Sequence, residues 1–126
     1  MSVFDRFFKL STSASIQLQK ENAINVITKA VNNKVTPQEA SRMYDVISAK
    51  AMTLDNDQAR VTEAMNILTS MKADWFTKEE KENFVAGVWL CECGRDSKNK
   101  RGITYINPEE LQYTKRAILG TKFKNI

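Results

Sequence analysis

Cys91-Glu92-Cys93 is where potential metal ligands and nucleophiles crowd together in this chain. Thiolates bind zinc well, but a closed structural site takes four ligands and usually spaces its paired cysteines by two or more residues. With two thiols and no histidine, only carboxylates or a second copy of the chain could complete such a site. The spacing therefore predicts Cys91 packed as a small apolar residue, Cys93 near a helix end, and neither metal nor cofactor. Cysteines two positions apart also close no useful disulfide loop, which points to a reducing, cytoplasmic setting.

The absence of histidine removes the commonest general base and every Ser-His or Cys-His nucleophile pairing. Carboxylates are grouped instead: Asp55 with Asp57, Glu79 with Glu80 and Glu82, and Glu109 with Glu110. Each group sits at a helix cap and its first turn, where the helix dipole alone accounts for acidic side chains. The four glycines, Gly87, Gly94, Gly102 and Gly120, form no phosphate-binding loop. No residue is a catalytic candidate, and the chain reads as a non-enzyme.

Binding chemistry has two candidate locations. The first is Phe4, Phe7 and Phe8, which share one stripe of a short helix with Val3 while Asp5, Arg6 and Lys9 lie opposite. Such a stripe either fills a groove in its own domain or serves as an arm that docks on a partner or a second copy. Two basic residues are too few to favour a lipid surface. The second is the C-terminal quarter. Residues 95–126 hold eight basic and three acidic groups, a net +5, against +4 for the whole chain. Arg95, Lys98, Lys100, Arg101, Lys115 and Arg116 could track a phosphate backbone, with Tyr105 or Tyr113 to stack on bases. A solvated loop and tail explain the same residues.

The elements that must position these residues announce themselves by their caps. Thr36 with Glu39, Asp55 with Gln58, Thr77 with Glu80, and Asn107 with Glu110 each place a small polar residue three positions before Glu or Gln. That is the capping-box spacing: the cap side chain accepts from an unpartnered first-turn N–H, and the later side chain reaches back to the cap's own. Pro37 and Pro108 each follow a cap directly, where a missing N–H costs nothing.

Helical apolar periodicity follows. Ile16, Ala23, Ile24, Ile27, Ala30 and Val31 mark a helix stopping at Asn32-Asn33, and Ala40, Met43, Tyr44, Ile47 and Ala51 a second. Val61, Ala64, Met65, Leu68 and Met71 mark a third, and Leu111, Ala117 and Ile118 the last, running from Pro108 to Leu119. Thr53-Leu54-Asp55, between the second and third, lacks the glycine common in helix-turn-helix turns. Between Phe84 and Cys91 the chain is apolar on all sides, so this helix, capped at its end by Gly94, belongs at the centre with Trp89 buried.

The expected architecture is all-α, a compact bundle of five or six short helices around one central apolar helix. Residues 1–15 read as an N-terminal amphipathic arm, with Ser11–Ser15 serving either as a hinge or as the capping region of the next helix, residues 16–120 as the helical domain, and residues 121–126 as a basic tail that frays. No apolar run approaches a membrane span. The function this supports is that of an accessory or regulatory protein acting through helical surface on another protein or on a second copy of itself. Nucleic-acid binding through the basic C-terminal quarter is the alternative.

Overall fold

The computed structural model describes the backbone of residues 3–72, 74–94 and 106–119, and side chains over 17–71, 74–93 and 106–119. It is all-helical among these residues. The elements in order are α1 (Val3–Ala30), α2 (Pro37–Lys50), α3 (Asp57–Lys72), α4 (Lys78–Trp89), a π turn (Leu90–Gly94) and α5 (Pro108–Leu119).

Side chains start these helices where the sequence places caps, with one shift. Thr36 accepts from the Glu39 N–H at 3.1 Å, and Asn107 from the Glu110 N–H at 2.8 Å. At Thr77 the box is complete: the Glu80 N–H donates to the Thr77 hydroxyl and the Glu80 carboxylate accepts from the Thr77 N–H. The cap of α3 is Asn56 rather than Asp55, since the Ala59 N–H donates to Asn56 Oδ1 at 2.8 Å. Termination of α1 is equally local. Asn32 and Asn33 both take positive φ, 58° and 56°, and their N–H groups return to the Lys29 and Thr28 carbonyls. Asparagine tolerates this left-handed backbone better than other residues with a Cβ.

α4 is central and packs against each of the other four helices. Phe84, Val85, Ala86, Gly87 and Val88 are all buried, and around them close Ile27, Tyr44, Ile47, Leu68 and Leu111. Gly87 is the point of closest approach. A Cβ there would collide with Ile27 Cγ1 and stand 2.8 Å from its Cδ1. Gly87→Ala should therefore destabilise despite alanine's advantage of about 1 kcal/mol in a helix, because overpacking costs ~1–3 kcal/mol. A thermal midpoint at or above the parent's would show that α1 and α4 separate without strain.

Several sequence expectations change. α1 is one helix of 28 residues, continuous through Ser11–Ser15, so no hinge interrupts its backbone. Serine and threonine cost a helix only tenths of a kcal/mol each, and neither glycine nor proline occurs in the span. Trp89 is half-buried at the core's margin, where its indole N–H donates to Asp57 Oδ1 at 2.9 Å. Met71 is exposed and Ile67 buried in α3. In α5 Ala117 is exposed and Thr114 buried, since Thr114 lies one turn from both Leu111 and Ile118. Gly94 does not cap α4 with a left-handed residue: no described glycine has positive φ, and the helix passes into the π turn instead.

Candidate functional site

The π turn sets Glu92 and Cys93 against one face of α2 and the residues just past its end. Tyr44 and Ser48 lie one turn apart on α2, and Met52 follows four residues on, in the turn after the helix. The Tyr44 hydroxyl donates to Glu92 Oε2 at 2.7 Å, the Ser48 hydroxyl donates to Glu92 Oε1 at 2.5 Å, and the Cys93 thiol meets the Met52 sulfur at 3.9 Å. Burial, then the adjoining Cys91 and Glu92, push the Tyr44 phenol well above its usual pKa. It stays protonated and serves as a fixed donor. Both carboxylate oxygens of Glu92 are thereby held by hydroxyls. Their chemistry is positional: they lock the end of the α4 segment onto α2.

A second polar group ties two loops together. The Glu80 carboxylate is buried and accepts from Lys34 Nζ and Asn32 Nδ2, each at 2.7 Å, besides the Thr77 N–H. Lys34 also donates to the Trp75 carbonyl at 3.1 Å, while the Trp75 indole N–H donates to the Lys34 carbonyl at 2.9 Å. Burial works against the carboxylate's charge, but the hydrogen bonds from Lys34, Thr77 and Asn32 outweigh it and hold the pKa at about 2. At the margin of the core Asp57 accepts from both Trp89 and Arg60, joining α3 to the end of α4.

The residues selected from sequence are distributed as follows. Cys91 is buried and Cys93 half-buried, and among the described residues no three His, Cys, Asp or Glu side chains gather closely enough to hold a metal ion. Phe4, Phe7 and Phe8 fall in the first two turns of α1; their side chains lie outside the described residues. Arg95, Lys98, Lys100 and Arg101 lie outside them altogether. Lys115 and Arg116, adjacent in sequence, part company on α5. Lys115 is drawn inward to Glu79 at 3.2 Å with its side chain 14 % exposed, whereas Arg116 faces solvent.

Comparison of the chain with protein-family models, with curated proteins and with solved structures finds no match. Functional reading therefore rests on geometry alone. No helix of the described residues is long and apolar enough to cross a membrane. Sequence reasoning missed Glu92 and Glu80 as organising residues. The available signal was a carboxylate at the very end of an otherwise apolar run, and another at the third position of a box whose helix is buried.

Proposed function

We propose that the protein is a non-enzymatic accessory or regulatory protein that binds another protein, or a second copy of itself, through the N-terminal part of α1. The observation carrying this reading is the unequal length of the helices. At 1.5 Å per residue, the 28 residues of α1 span about 42 Å, against about 21 Å for the 14 of α2. Among the described side chains of α1, buried ones begin at Gln19 and recur to its end. The preceding turns carry Phe4, Phe7 and Phe8 at the i, i+3, i+4 spacing of a groove-docking helix. The interior carboxylates support the same reading from the other side, since Glu80 and Glu92 are committed to bonds between helices.

Removal of residues 1–10 is expected to leave the helical circular dichroism largely intact while lowering the mass seen by light scattering or abolishing capture of a protein partner. Unfolding of the truncated chain would instead make the phenylalanine stripe part of the core and end this proposal. A mobility shift on duplex and single-stranded nucleic acid at about 50 mM salt distinguishes the rival. Binding that weakens by a log–log slope of roughly 0.9 per neutralised phosphate, and that flattens when Lys98, Lys100 and Arg101 become glutamate, would transfer the function to the basic C-terminal quarter.

A further inference from the structure

α1 buries one side only. Ala23 and Ile27 are wholly buried along it, whereas Leu18, Glu21, Asn25 and Lys29 form an exposed row. At about 100° per residue Leu18 lies roughly opposite Ile27 round the helix, and this leucine is 45 % exposed. The helix runs back from there without a break to Val3. Counted along it, positions 4, 7, 8 and 11 fall within about 80° of Leu18. Phe4, Phe7 and Phe8 therefore occupy positions on the side of α1 opposite its buried row.

Two grooves flank the exposed row. One, of about 440 Å³, lies between α1 and α5 and is lined by Asn22, Val26, Lys29, Ala30, Leu111 and Gln112 among others. The other, of about 420 Å³, lies between α1 and the start of α2, along Gln17, Glu21, Asn25 and Ser41. The outward side of α1 thus carries three large residues at its N-terminal end, small Ser11, Ala14 and Ser15 in the middle, and grooves at its C-terminal end. Such a surface is complementary to itself when reversed, as a two-fold interface requires. Antiparallel pairing about the Ala14–Ser15 junction sets Ser11 against Leu18, small against large. It brings Phe4 and Phe8 level with Asn25 and Glu21 of the second copy. A two-fold axis across the helices keeps each flank on its own side. Positions 4 and 8 share the flank of Asn22 and Val26, which is the flank of the α1–α5 groove. On the other flank Arg6 falls close to the level of Glu21 of the second copy, opposite in charge. A phenylalanine buries ~150–250 Å², so six across the pair supply roughly 900–1,500 Å², comparable with the ~1,200–2,000 Å² of a specific interface.

We propose that two copies of the chain pair antiparallel through the outward side of α1, with Phe4 and Phe8 of each seated in the other's α1–α5 groove over Val26, Ala30 and Leu111. This inference rests on the reading of α1 as the binding element and narrows its partner to a second copy.

Sedimentation of the full chain over a concentration series is expected to give the mass of two chains, falling to one on dilution. Leu18→Glu is expected to raise the dissociation constant roughly 100-fold, because a carboxylate enters an apolar contact. The urea midpoint of the dilute monomer should not change, since Leu18 is exposed. A dimer indifferent to Leu18→Glu would place the contact elsewhere and overturn the inference. A mass of one chain at every concentration, with residues 1–10 removable without unfolding, would overturn the second copy as partner while leaving α1 as the binding element. Unfolding on that truncation would end both readings together. Cross-linking reads the register: mixing Leu18→Cys with Ser11→Cys should yield a disulfide joining positions 11 and 18, and Leu18→Cys alone no disulfide joining 18 to 18. The reverse pattern would mean parallel helices and overturn the antiparallel seat.

Discussion

Phe84→Ala is expected to cost about 3–5 kcal/mol, the largest loss of any single truncation among the described residues. Phe84 is wholly buried on the helix that packs against all the others, and its ring stands 6.3 Å from that of Phe76, centroid to centroid. Alanine there forfeits the ring's burial and opens a cavity at the junction of the bundle, where surrounding helices have least freedom to collapse inward. A domain of this size holds only about 5–15 kcal/mol in total, so the variant should melt tens of degrees lower or fail to fold. Trp89→Ala should cost less, since Trp89 is half-buried and its indole N–H reaches a carboxylate at the margin. Urea midpoints of the two variants decide the matter. A Trp89 variant weaker than the Phe84 variant would move the centre of the core toward the π turn.

Glu80→Gln is expected to remove on the order of 2 kcal/mol at neutral pH, and to remove it in a pH-dependent way. The folded carboxyl titrates at about 2 rather than at its ordinary 4.5. A depressed folded pKa favours folding wherever the unfolded carboxyl is also ionised. Its contribution is therefore complete above about pH 4.5 and fades as the pH falls toward 2. Parent and variant should differ most at pH 7, less at pH 4, and converge near pH 2. A gap that stayed constant across that range would mean Glu80 stabilises by shape and capping geometry and not by its charge.

The caps were the most legible part of the fold, because a cap is a contract between residues three positions apart and needs no knowledge of the rest of the molecule. Even so, Asn56 stands beside Asp55, both can cap, and only the backbone decides between them. Periodicity found the face of each helix but not how far along the helix its neighbours reach. That is why Met71, on the correct side of α3, is exposed, and why Trp89 lies at an edge. The hinge at Ser11–Ser15 was inferred from composition, yet small polar residues permit a break without requiring one. Of the polar groups inside the domain, Glu80 was visible as half of a capping box; its ties to Asn32 and Lys34 were not, since residues 46 and 48 positions apart carry no local pattern. For the basic residues the sequence shows charge but not commitment. Lys115 and Arg116 are identical to such a reading, and one of them is spent on Glu79.

The π turn at Leu90–Gly94 amounts to one residue more than an α-helix would need to cover the same rise. Deleting a single residue from this turn would let it close into ordinary α geometry, and because the wide turn absorbs its extra residue, the chain beyond would keep nearly its old bearing. The change would fall on the turn itself, where Glu92 would lose its seat against the Tyr44 and Ser48 hydroxyls. A chain shorter by that one residue would thus keep its packed helices and lack the Glu92 tie, so a lone codon gained in this stretch is enough to add a polar lock between α2 and the end of α4.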